Sequence, residues 1–130
     1  MSGGAAADRG SVSAELVVAM PLLATLLLLI VQFALAAHAQ HIAQTAASRA
    51  LAAARAEDST AAAGSARASA TLELLGRRVL EHPAVDVRRG AAQVTVSVHG
   101  GVAAVVPGLD LQVTGHAAGP VERWSSPAGE

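Results

Sequence analysis

The sequence predicts an α+β chain. A long N-terminal transmembrane helix continues outward and is followed by a small domain of one helix packed on a three-stranded antiparallel sheet. Three observations carry that prediction. Leu16 to Ala37 are 22 consecutive residues without a formal charge. Ala68, Leu72, Leu75 and Val79 recur at helical spacing. Beyond Pro83, valines and leucines alternate with polar residues at the period of a half-buried strand.

Each element follows from its residues. Met1 to Asp8 is small, polar and without apolar periodicity, and reads as unstructured. Residues 16–37 form a helix of about 33 Å at ~1.5 Å per residue, against a bilayer hydrocarbon core of ~30 Å. The segment is long enough to cross a membrane once. Its only strongly polar side chains are Thr25 and Gln32, and Pro21 removes one backbone donor inside it. His38 to Arg55 contains neither Gly nor Pro, so the helix should run on, giving one element over 11–55. Arg9, with the α-amino group, biases the N-terminal flank toward the inside of the membrane and the remainder toward the outside. At ~100° per residue, Thr25, Gln32, Ala36, Ala39, Ala43, Ala47 and Ala50 fall on one stripe. Small residues let helices approach closely, so the stripe is a candidate seam between subunits. His38 and His41 lie one turn apart but lack a third ligand and read as solvated.

The small domain is expected over 56–122. Glu57 to Thr60 breaks the helix, with Asp58 to Thr60 available as an N-cap. The second helix should end at His82, because Pro83 disfavours helix in the residue before it. Glu73, Arg77 and Glu81 occupy its other face at i,i+4 spacing. Strands are expected at Val85–Arg88, Gln93–His99 and Leu109–Thr114, with Gly100-Gly101 and Pro107-Gly108 as breaks. Val102 to Val106 reads either as strand extension or as an apolar loop. His116 to Glu130 should trail off, with 123–130 a flexible tail whose Trp124 either packs back or marks an exposed contact.

Composition excludes several functions. Nine basic and ten acidic residues give a net charge of −1, without the basic patch that nucleic acid requires. The chain has no cysteine, hence no disulfide scaffold, thiolate site or cysteine nucleophile. With only Phe33 and Trp124 aromatic, the core is thin. Gly100-Gly101 lacks the lysine and spacing of a phosphate cradle, and no Ser, His and Asp spacing specifies a triad. We therefore expect no enzyme, no catalytic, cofactor or metal residues, no nucleic-acid partner and no small-molecule substrate.

The most informative residue is Glu15, a carboxylate at the N-terminal edge of the apolar span and five residues after Gly10. A carboxylate at a bilayer midplane costs roughly 2.5–3.5 kcal/mol on insertion scales, and less at the edge. Glu15 reads either as an interfacial first-turn residue favoured by the helix dipole, or as part of a processing signal. Three readings of the span compete: a plain anchor, a secretory signal peptide cleaved after Ala39 in Ala37-His38-Ala39, and a leader cleaved before the helix. A signal peptide's apolar core usually has ~7–15 residues, shorter than this one.

Gly10-Ser11-Val12-Ser13-Ala14-Glu15-Leu16, followed by Pro21 in a leucine-rich helix, resembles the class III signal of type IV pilin-like proteins. The chain over roughly 9–122 is similar to the TadE-like minor pilins (pseudopilins) of the tight-adherence system. Val106-Pro107-Gly108-Leu109, Val113-Thr114-Gly115 and Gly119-Pro120-Val121-Glu122 also look like the end of that family's domain. Leu16, where the short major pilins tend to carry an aromatic, favours the minor group. The resemblance implies a leader of residues 1–10, removed between Gly10 and Ser11 by a prepilin peptidase. It also implies a place in the bacterial cytoplasmic membrane or, in a filament, outside the cell. The partners it implies are the bilayer and other pilin-like subunits, met through the N-terminal helix and the seam of Thr25, Gln32, Ala36, Ala39 and Ala43. Cleavage would create an amine at Ser11, one turn from Glu15, able to neutralise the carboxylate of a neighbouring subunit.

Overall fold

The computed structural model describes residues 3–56 and 58–123. Glu57 and the tail 124–130, with Trp124, lie outside the described residues. Helix α1 spans Gly3–Arg55 without a break. It begins well before Ser11, so residues read from the sequence as unstructured are helical. Ala5, Ala6 and Ala7 are the best of helix formers, and Gly10 costs only about 1 kcal/mol in a helix interior.

α1 ends in a dense set of caps. Ser59 Oγ donates to the Ala53 carbonyl at 2.6 Å, and Arg89 Nε donates to that of Ala54 at 2.9 Å. The Glu122 amide donates to the Arg55 carbonyl at 2.9 Å. These satisfy carbonyls that the last turn leaves without intrahelical donors. Asp58 turns the chain at φ 62, and Thr60 then caps helix α2, Ala61–Leu75, its hydroxyl accepting from the Ala63 amide at 3.1 Å.

α2 stops at Leu75, seven residues before the end expected at His82. Gly76 donates its amide to the Leu72 carbonyl at 2.7 Å, and a side chain there would press on Leu72 O and Leu80 Cδ1. Val79 and Leu80 leave the helical register, and Leu80 enters the core opposite Val102. Tertiary pairing thus overrides the helical pattern up to His82.

The sheet has strand order β1-β2-β3, all antiparallel, with β1 at Leu80–Arg89, β2 at Gln93–Val102 and β3 at Gln112–Pro120. β1 starts earlier than expected. It crosses Pro83 by a bulge between Glu81 and Ala84, with His82 at φ 48. β3 starts later and runs to Pro120, through residues expected to trail off. Val102 belongs to β2, and 103–111 form a loop that is apolar up to Leu109.

Val94, Val96 and Val98 are fully buried on the inner sheet face, beside Val102 and Val113. The layer covering them is α1 and α2 together. Among the described residues, seven of the fifteen buried apolar side chains come from α1: Ala39, Ile42, Ala43, Ala46, Ala47, Ala50 and Ala54. The outer half of α1 is therefore a wall of the domain's core.

Candidate functional site

The candidate site is α1, read from its N-terminal mouth outward. Gly10 and Ser11 are exposed within the helix, and nothing lies within 4 Å of where a Gly10 side chain would begin. Glu15 is exposed one turn beyond Ser11, on a surface shared with Ala14, Val18, Ala19 and Leu22. Gly10, Ser11 and the Glu15 carboxylate are thus exposed together on the same short stretch of helix.

Above this mouth the shaft is apolar on every side. Val17 and Val18 are more than 70% exposed, and Leu27, Ile30 and Phe33 about 60%. A helix apolar all round is stable only when something apolar surrounds it. This helix is long and apolar enough to cross a membrane, with a mean hydropathy of 2.6 in its most apolar window. Pro21 does not break it. Thr25 Oγ1 donates to the Pro21 carbonyl at 2.8 Å, so the hydroxyl is satisfied inside the helix.

The stripe exists, but its partner differs from the expected one. Thr25 lies on the exposed shaft. From Gln32 onward the stripe faces this chain's own domain. Gln32, Ala39 and Ala43 are fully buried, and Ala36 packs at the edge of the same core. The seam between subunits expected at Gln32, Ala36, Ala39 and Ala43 is therefore occupied from within the chain. The reason is Gly115: a Cβ there would collide with the Ala43 carbonyl and the Gln44 amide. Glycine on β3 opposite alanine on α1 lets the two backbones touch, which larger residues on either side would prevent.

Gln32 is the anchor of the contact. Its Oε1 accepts from the Val105 amide at 2.6 Å and from the Val106 amide at 3.2 Å. Its Nε2 donates to the Ala103 carbonyl at 3.2 Å. One buried side chain thus holds the turn of the 103–111 loop.

Two residues the sequence reading missed do the same for β3. Gln40 donates to the Thr114 carbonyl at 2.7 Å and accepts from its amide at 3.2 Å. Gln44 repeats this with His116, at 2.8 and 3.2 Å. Arg55 Nε closes the row on the Pro120 carbonyl at 2.8 Å. These side chains cover the outer edge of β3, which would otherwise offer unpaired amides and carbonyls to another strand. The available signal was a Gln-Gln pair at i,i+4 flanking the alanine stripe.

The outer sheet face carries polar pairs without catalytic order. Ser97 Oγ lies 3.2 Å from His116 Nδ1, and His99 Nδ1 lies 3.1 Å from Thr114 Oγ1. Asp86, Ser97 and His116 form one cross-strand row, but the serine stands between the other two. A triad needs the carboxylate on the histidine, and Asp86 pairs instead with Arg88 at 3.1 Å. His38 and His41 are exposed on α1, and no group of three or more potential metal ligands occurs among the described residues.

No curated protein and no solved structure matches the chain. The model of the family described as "TadE-like protein" matches residues 10–55, a stretch that begins at Gly10 and ends at the last residue of α1. Over this helix the chain is similar to the TadE-like family, a pilin-like structural family.

Proposed function

We propose that this protein is a minor pilin (pseudopilin) that serves in assembly of a tight-adherence, type IVb-like pilus or secretion apparatus. The observation that carries the reading is a TadE-like helix, apolar on all sides, with Gly10, Ser11 and Glu15 exposed together at its mouth. A prepilin peptidase, in that family a membrane aspartyl protease, hydrolyses the Gly10–Ser11 bond. Water supplies the carboxylate left on Gly10 and the ammonium gained by Ser11. Glu15 of one subunit then pairs with the Ser11 ammonium of the next. In low dielectric that pairing favours entry in register over exposure of either charge to lipid. The N-terminus faces the cytoplasm, and the outward domain caps or primes the assembly. The inter-subunit contact lies on the shaft, at Thr25 and the apolar residues around it.

Intact mass of the membrane-extracted protein tests this. Loss of Met1 to Gly10 with Ser11 as the new terminus supports the reading. Retention of all ten residues in cells with an active peptidase overturns it and leaves an unprocessed, single-pass anchored binding module. Secretory cleavage after Ala39 has a structural argument against it. It would remove Gln32, Leu35, Ala36 and Ala39, all packed in or beside the domain's core.

A further inference from the structure

The loop between β2 and β3 offers a lipid contact that follows from its height on α1. Gly101 to Leu109 is a run of nine residues without a charge. Ala104, Val105, Pro107 and Gly108 are exposed, with Val105 at 38%. Such a surface is costly in water and favourable in a hydrocarbon interface.

Four of the six amides over 103–109 are held within the protein. Gln32 accepts the Val105 and Val106 amides. The Ala103 amide goes to the Val79 carbonyl at 2.8 Å and the Leu109 amide to that of Val106 at 3.3 Å, while Pro107 has no amide. Lipid tolerates irregular backbone only where its polar groups are satisfied within the protein.

The height comes from helix geometry. With Glu15 at one boundary of the hydrocarbon core, ~30 Å of helix at ~1.5 Å per residue brings the other boundary near Leu35. Gln32, which holds the loop, lies about 4 Å inside that boundary on the same scale. Sliding the helix outward to lift the loop clear would draw Glu15 into the hydrocarbon. The same arithmetic holds on whichever side of the membrane the domain stands. The contact is continuous with the apolar shaft below it, where Phe33 and Ile30 are 58% exposed. The next charge, Asp110, is exposed and marks the watery side of the loop.

We infer that Ala104, Val105 and Pro107 enter the bilayer beside α1, so that the domain rests on the lipid through this loop and is fixed in tilt and rotation. The inference rests on the membrane-crossing reading of α1.

Because the chain has no cysteine, single nitroxide labels report each height separately. The full-length protein is placed in phosphatidylethanolamine–phosphatidylglycerol vesicles with a label at Leu23→Cys, Val105→Cys or Ala118→Cys. Collision with dissolved oxygen is compared with collision with a water-soluble nickel chelate. We expect the oxygen-to-nickel ratio at Val105 to lie near that at Leu23 and far above that at Ala118. A Val105 ratio equal to that at Ala118, with Leu23 in lipid, overturns the inference and leaves the anchor intact. A watery Leu23 overturns both. If Val105 loses its protection from nickel as lipid dilutes the protein, a second copy covers the loop and the inference fails.

Discussion

Gln32 shows how one residue serves two environments. In the sequence it is a polar interruption of an apolar span. In the structure it is wholly buried and makes three hydrogen bonds to one loop. Gln32→Leu leaves the Val105 and Val106 amides and the Ala103 carbonyl without this partner. We expect a loss of about 2 kcal/mol, since an unsatisfied buried group costs about 1–3 kcal/mol. The midpoint of urea unfolding in detergent checks it. Gly115→Ala forces a methyl into the α1 backbone, and we expect about 1–3 kcal/mol of destabilisation from overpacking. A silent Gly115→Ala would mean that α1 and β3 do not touch. At the mouth of the helix the expectation differs in kind. On the proposed pilin role, we expect Glu15→Gln to leave cleavage at Gly10–Ser11 in place, seen by mass, and to lower incorporation into the assembly.

At the scale of elements, α1 and β3 are joined by side chains acting as a further strand. Replacing Gln40 and Gln44 together with alanine uncovers the β3 edge. We expect faster amide exchange at Thr114 and His116 and a stability loss of about 1 kcal/mol for each glutamine. Exchange at Val96 and Val98 should hold, because they lie in the central strand.

The elements themselves were legible to different degrees. The shaft and the valines of β2 announce themselves by charge-free length and by strict alternation. The stripe of Gln32, Ala39 and Ala43 was legible as a close-packing face, but small residues say only that something comes near. Whether it is a neighbouring subunit or the same chain depends on Gly115, more than seventy residues away, whose close approach to Ala43 no local pattern shows. The end of α2 was hidden for a related reason. Leu80 fits the apolar spacing closely enough, yet its place opposite Val102 is a long-range fact that local periodicity does not contain. The Gly10-to-Glu15 spacing is a local pattern that does not depend on how the rest of the chain folds.

For the whole molecule, the shaft and the domain are one body. A fragment of residues 56–130 lacks seven buried side chains of α1, and we expect it to be unfolded by circular dichroism and by the absence of dispersed amide resonances. A fragment of residues 32–130 keeps that wall and the Gln32 contacts, and should fold without a membrane. If 56–130 alone folds cooperatively, α1 is a mere tether.

The row of Gln40, Gln44 and Arg55 also sets how the molecule bears force. Those attachments are spread along the length of one rod and one strand. A pull along the shaft therefore strains them side by side, in shear, and does not peel them one after another. A machine that extracts the rod from the bilayer would carry the domain with it as a rigid load.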